Sequence, residues 1–278
     1  MSWRAVVLAL DAPDAFKSRV GVYLHPLAGR PIVWHVLRSL LDTAPPPDEI
    51  VVLHHRHVHI DGAIAPGAPV VGVPVQGDSS DEARAIRAAV TAPGMTLLVD
   101  GAAALLTPST VARLLRAAEH GVAALAGGDD AARIALAGEG PALASAEDPR
   151  MPAAASTVAP TTPEELVRVT DRHSLAVAQA CVRDRLVRTH EARGVSFLLP
   201  ATVWLDVDAR IGADTLVYPG VVIEGETDIG SECVIGPHSR LIEATIGRGV
   251  ELRGWNYVSR SAVRNHAVLE PYVRRGID

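Results

Sequence analysis

The second half of the chain is governed by a six-residue period. Aliphatic side chains recur at Leu205, Ile211, Val217, Ile223, Ile229, Ile235 and Leu241. A five-residue step leads to Ile246, Leu252 and Val258, and a second to Val263 and Leu269. Glycine follows the aliphatic residue at Gly212, Gly230, Gly236 and Gly247. Such a repeat makes each unit one flat side of a triangular coil, with the aliphatic residue pointing inward and glycine easing the corner. The period therefore predicts a short left-handed parallel β-helix over 195–278, with about twelve units in roughly four coils.

The first half carries a different rhythm. Apolar strand-like runs at 4–10, Val51–Leu53, Pro69–Val73, Met95–Val99 and Val122–Ala126 alternate with helical stretches at Pro31–Leu41, Asp81–Val90 and Ser109–His120. Pro31 suits the first turn of a helix, and Thr107 or Ser109 suits an N-cap. Alternating elements of this kind predict a Rossmann-like α/β domain with a mainly parallel sheet over 1–170. Residues 127–163 are rich in Ala, Gly and Pro. Two short strands are expected there, Arg133–Leu136 and Ala142–Ala146, around a Gly-Glu-Gly turn. A connecting segment, 171–194, holds a long helix over 172–192. Its expected apolar stripe is Leu175, Val177, Ala180, Cys181, Leu186 and Val187.

Charge and composition exclude several roles. The formal net charge is −6, which disfavours nucleic acid as a partner. No apolar run reaches the ~18 residues of a membrane span, and no signal peptide is read at the start. Two cysteines, Cys181 and Cys233, point to a reducing cytoplasmic setting, with Cys233 as a packed apolar position. Only one of the 26 basic residues is lysine, so chemistry that needs a lysine has one candidate, Lys17.

Several constellations invite a functional reading. His54, His55, His57 and His59 crowd one extended segment beside Asp61. They read first as a polar surface loop and second as a metal site. Asp100 and Asp171 are a candidate pair for Mg²⁺ and otherwise strand-end and cap residues. Trp204, Trp255 and Tyr257 form a partner patch if they prove contiguous.

The segment L-A-x…K-S…L-H-P-L-A-G-R-P, the long helix and the hexapeptide repeat together resemble one family over nearly the whole chain. It is the bifunctional N-acetylglucosamine-1-phosphate uridylyltransferase / glucosamine-1-phosphate acetyltransferase. The resemblance is best at 5–41, 172–200 and 201–275. It implies a nucleotide or sugar-phosphate ligand, Mg²⁺ if the protein is active, and a homotrimer built through the β-helix. The family's phosphate loop reads L-A-A-G-x-G-T-R-M and then P-K-V-L-H. Here Leu8 and Ala9 are kept as nucleotide-binding candidates, but Asp11 and Pro13 replace the glycines. Ala15 replaces the arginine, Gly21 the proline and Val22 the lysine. Lys17 and Arg19 remain as catalytic candidates. Loss of one charged contact to a transition state costs ~3 kcal/mol, so this loop is expected to support little turnover.

Other family positions are altered as well. Gln76 begins the uridine-recognising segment, but Gly77-Asp78-Ser79 follows it without the G-T-G. The metal-binding Asp of a Y-G-D segment falls on Ala102, one slip away from Asp100. The second ligand, an Asn of G-V-N-N-R, falls within Arg168-Val169-Thr170-Asp171-Arg172. Glu147 matches a sugar-contacting Glu, and the sugar segment after it is too short. Glu270–Gly276 lies near the motif that precedes the family's acetyl-CoA coils, so acetyl transfer is not expected. Two functions follow. One is a nucleotidyltransferase-like protein acting in binding or assembly without catalysis. The other is a divergent enzyme joining an NTP to a small phosphate, a sugar 1-phosphate or a substrate like that of the isoprenoid cytidylyltransferases.

Overall fold

The computed structural model describes residues 2–10, 16–56, 60, 67–76, 79–127, 134–148, 150 and 152–276. The chain divides into two units. The first holds Met1–Pro26 and Pro31–Ala178, and the second holds Leu27–Arg30 and Gln179–Asp278.

The first unit is built on a seven-stranded sheet. In chain order the early elements are β1 (Trp3–Ala9), β2 (Pro26–Leu27), β3 (Arg30–Pro31), α1 (Ile32–Leu41), β4 (Glu49–His55), β5 (Val70–Val75) and α2 (Ser79–Val90). They are followed by β6 (Met95–Asp100), α3 (Pro108–Ala117), β7 (Ala123–Leu125), β8 (Ala135–Glu139), α4 (Gly140–Ala144), β9 (Ser156–Val158) and α5 (Arg172–Glu191). The strand order is β5-β4-β1-β6-β8-β7-β9. β5, β4, β1 and β6 run parallel, and β8 is antiparallel to β6 and β7. This is the α/β architecture with a mainly parallel sheet that the alternating rhythm predicts.

Packing follows from the pattern of apolar residues. Val6, Val51, Leu53, Val75 and Leu98 bury one sheet face against Ile86 and Val90 of α2 and Leu143 of α4. α1 turns Ile32, Val33, Val36, Leu37 and Leu40 inward, the spacing of one helix face. Pro31 flanks α1 as its N-cap and is not its first helical residue. Thr107 caps α3, its hydroxyl accepting from the Thr110 N–H. The expected strand at Ala142–Ala146 is instead helical. Pro141 sits in the first turn of α4, where its missing N–H costs nothing, and Leu143 is buried.

The long helix α5 also departs from its expected stripe. Ala178, Val182 and Val187 are buried, while Val177 is 37% exposed. The buried residues are spaced by four and five, and Val177 lies one position off that face.

The second unit is a left-handed parallel β-helix. Among the described residues its strands run from Ser196–Phe197 to Arg274–Arg275 in three parallel sheets of five, five and four. The hexapeptide residues stack into ladders. One is Leu205, Ile223, Leu241 and Val258, and another is Ile211, Ile229, Ile246 and Val263. The third is Val217, Ile235, Leu252 and Leu269. All are at most 7% exposed and form one continuous core. The two five-residue steps fall at the corners after Ile242 and Ser259. Glu243 and Arg260 take left-handed backbone there, with φ of 48° and 44°. Their side chains pair across the coils at 2.9 Å.

The P-L-A-G-R-P segment has a second role that its sequence does not announce. Leu27–Arg30 belongs to the β-helix unit. The Ala28 N–H donates to the Gln179 side chain at 2.9 Å, and the Ala28 carbonyl accepts from Val207 at 3.0 Å. Arg30 Nε donates to Asp208 at 2.6 Å. Gly29, at φ 82°, lies so close to Asp206 that a Cβ there would fall 2.6 Å from the carboxyl carbon. Burial pushes the Asp206 carboxyl above its usual range, against hydrogen bonds from the Gly225 N–H and the Trp204 indole.

Candidate functional site

Open parallel sheets bind ligands at the carboxyl ends of their strands, where the strand order reverses. Here the chain steps from β1 outward to β4 and β5, then returns to β6 on the other side of β1. The reversal lies between β1 and β6. A cavity of about 260 Å³ opens there, lined by Leu8, Leu10, Tyr23, Asp100, Asp148, Arg150 and Arg168.

Local geometry explains how these residues meet. Leu8 and Asp100 are partners in the β1–β6 register. Just beyond, the Gly101 N–H donates to the Leu8 carbonyl at 2.8 Å. A Cβ on Gly101 would lie 2.9 Å from that carbonyl and 3.0 Å from the Tyr23 ring, so glycine lets Tyr23 close the floor. The Val169 N–H donates to the Ala102 carbonyl at 3.0 Å, which brings Arg168 beside Asp100.

Asp100 is 7% exposed, and both of its oxygens are engaged. One accepts from the Ala102 N–H at 2.7 Å and the other from Arg168 Nε at 2.5 Å. A second guanidinium nitrogen of Arg168 closes on the same oxygen. On another wall, Asp148 accepts from the Arg150 N–H at 2.9 Å. Arg150 Nη2 reaches Glu82 at 2.5 Å, and Glu82 lies 3.7 Å from His55 Nε2. His55 Nε2 also bonds the Leu10 carbonyl at 2.8 Å.

The sequence candidates are distributed unevenly around this cavity. Leu8 and Asp100 line it. Ala9 is fully buried in β1. Lys17 and Arg19 are exposed in the following loop, with Lys17 at φ 46°. Gln76 is exposed just after β5. Glu147 is exposed, and its carbonyl, not its carboxylate, accepts from Arg87 at 3.0 Å. Asp171 caps α5, its Oδ1 accepting from the Ser174 N–H and hydroxyl, each at 2.7 Å. Those bonds hold the Asp171 carboxyl below its usual range.

Asp100 and Asp171 do not fit a shared Mg²⁺. Magnesium needs near-octahedral oxygen ligands with one or two carboxylates facing it. Asp100 gives its oxygens to an amide and a guanidinium, and Asp171 gives Oδ1 to a helix cap. Among the described residues, no three His, Cys, Asp or Glu side chains are grouped to hold a metal. His57, His59, Asp61, Asp11, Pro13, Asp14 and Ala15 lie outside the described residues. His54 and His55 are committed to backbone carbonyls.

Sequence reasoning missed Arg150, Asp148, Tyr23 and Leu10, and it passed over Arg168. One signal for Arg168 was present: it stands where the resembled G-V-N-N-R motif has glycine. On the β-helix the three aromatics of the expected patch have separate neighbours. Trp204 bonds Asp206, Trp255 stacks between His238 and Tyr272, and Tyr257 lies under Arg274. Cys233 is buried, its thiol directed at the Gly247 carbonyl at 3.1 Å. No helix among the described residues is long and apolar enough to cross a membrane.

Known proteins match these two units separately. The first unit has a nucleotidyltransferase fold. A nucleotidyl transferase from Methanothermobacter thermautotroptrophicus superposes with a TM-score of 0.51 at 23% identity, covering 68% of this chain and 99% of that one. In the second unit, residues 208–242 match the bacterial transferase hexapeptide (six repeats) family. Over about a third of its length the chain is also similar to proteins named bifunctional protein GlmU. The protein of that name from Geobacillus sp. (strain WCH70) is 39% identical over 109 residues, 39% of this chain and 24% of its own length. That of Geobacillus thermodenitrificans (strain NG80-2) is 43% identical over 90 residues, 32% of this chain and 20% of its own. The matches thus span about a quarter or less of those relatives.

Proposed function

We propose that this protein is a nucleotidyltransferase-fold protein that binds a ligand or assembles with partners without catalysing nucleotidyl transfer. The observation that carries this reading is the grip of Arg168 on Asp100. Phosphoryl and nucleotidyl transfer rest on positioning and on charge stabilisation, commonly by divalent ions bridging phosphate oxygens. Among the described residues that line the cavity, the buried carboxylate, Asp100, already neutralises a guanidinium. The departures in the phosphate-loop sequence, Asp11, Pro13 and Ala15, point the same way.

The assay is pyrophosphate release from each NTP with Mg²⁺ and a panel of sugar 1-phosphates and small phosphates. The expected result is no turnover above background. Turnover that disappears in Lys17→Ala would establish the rival reading, a divergent transferase, which the exposed Lys17 and Arg19 favour. The β-helix supports a homotrimer as the assembled form. Light scattering should then report about three times the 29.2 kDa chain mass, and a monomer mass would contradict it.

A further inference from the structure

We propose that the hairpin tip Leu27–Arg30 is an acid-tightened latch on the first coil of the β-helix, with Asp206 as its proton-sensing side chain.

The local fold comes first. β2 and β3 pair with each other, and Ala28 and Gly29 make the turn between them. Both have positive φ, 45° and 82°, as a primed two-residue hairpin turn requires. Glycine takes this backbone freely, whereas alanine is strained in it. Strain of this kind persists only where the surroundings fix it. Ala28 is 1% exposed, and both of its backbone groups are held. Its N–H donates to the Gln179 side chain, and its carbonyl accepts from the Val207 N–H. Arg30 adds an ion pair with Asp208 at 2.6 Å and lies 3.9 Å from Glu226.

These contacts seat the tip against a cost that depends on protons. Asp206 is 6% exposed, and a Cβ on Gly29 would fall 2.6 Å from its carboxyl carbon and from Oδ2. Among the described residues two donors reach the carboxyl, the Gly225 N–H at 2.9 Å and the Trp204 indole at 3.2 Å. Both donors belong to the coils, so they serve Asp206 whether the tip is seated or lifted. An ionised carboxylate has about four acceptor sites. The tip therefore covers a half-satisfied carboxylate and donates nothing to it. Taking the ionised form out of water is costly, and taking out the protonated form is much less so.

The charges facing Asp206 are Arg30 on the tip, Asp208 on its own coil, and Glu224 and Glu226 on the next. Glu224 is itself paired with Arg240 at 2.6 Å. Burial, reinforced by Glu224 and Asp208, outweighs the two donors and holds the carboxyl above its usual range. A carboxyl raised in the seated state favours seating at low pH. That contribution fades as pH rises through the seated-state value.

Hydrogen-exchange mass spectrometry on the full chain tests the latch. After correction for intrinsic exchange, the peptide holding Leu27–Arg30 should be at least about threefold better protected at pH 5 than at pH 7.5. Asp206→Asn should abolish that difference. The reciprocal measurement follows the Trp204 indole N–H by NMR, one of four tryptophan signals, which reports ionisation of Asp206 through their hydrogen bond. Gln179→Ala removes the acceptor for Ala28 and loosens the tip, so the midpoint of the Trp204 titration should move to lower pH. This arm decides the matter if Asp206→Asn does not fold. Equal protection at the two pH values, a difference that survives in Asp206→Asn, or an unmoved Trp204 midpoint in Gln179→Ala would overturn the inference.

Discussion

The β-helix unit and the α/β unit are both closely packed, but they store their information differently. In the β-helix, every interior position is a copy of the one a coil above it. Leu205, Ile223, Leu241 and Val258 form one ladder of the same side-chain type in the same environment. In the α/β unit, the cavity is assembled once, from residues that share no repeat. Asp100 and Arg168 are 68 positions apart, and Arg150 meets Glu82 across another 68. The comparison teaches that a repeat fixes its scaffold one coil at a time, whereas a site assembled once depends on single long-range pairs such as Asp100 and Arg168.

The comparison can be broken at either side. The largest expected effect lies in the β-helix core. Leu252 is fully buried between Ile235 and Leu269 in its ladder. Leu252→Ala should cost ~2–5 kcal/mol by urea denaturation, as buried leucine truncations do. A cost under ~1 kcal/mol would mean that the coils are looser than the stacked ladder implies.

A smaller effect is expected at the cavity. Asp100→Ala removes the carboxylate that Arg168 grips, at an expected ~1–3 kcal/mol. A double-mutant cycle with Arg168→Met should recover part of that loss, because the guanidinium and the carboxylate are then removed together. Full additivity would show that the two groups are neighbours without coupling.

The smallest effect is a pH dependence, present in both units. His190 in the β-helix unit is 5% exposed, and burial, then Arg193, push its pKa below the usual value of 6.5. Among the described residues its Nδ1 has no hydrogen-bond partner. His25 in the α/β unit is lowered by burial and then by Arg172. A histidine whose folded pKa is depressed binds more protons when unfolded, so stability is fullest above pH 6.5 and falls as pH drops through it. His190→Phe should flatten that decline between pH 7 and 5. An unchanged slope would remove His190 from the account.

The same contrast explains what was legible in the sequence. The β-helix could be read nearly to the residue because its period survives in one dimension. The parallel sheet was legible because each strand is a short apolar run beside a helix with its own periodicity. The turn into α4 was misread because Ala-rich residues carry little periodicity, and Pro141 decided the matter locally. Asp100 was found because it stands beside the position of the resembled family's metal-binding aspartate. Its partner was not, since Arg168 reaches it through the Val169–Ala102 hydrogen bond, a contact with no trace in local pattern. The role of Leu27–Arg30 was hidden for the same reason: its partners lie at Gln179 and Val207–Asp208.

The central claim is that the aspartate at the strand reversal serves an arginine and not a metal. Electron paramagnetic resonance of Mn²⁺ titrated into the wild-type chain tests it directly. The free-ion signal should grow in proportion to added Mn²⁺, as in buffer alone. A stoichiometric loss of that signal, restored by Asp100→Asn, would contradict the account.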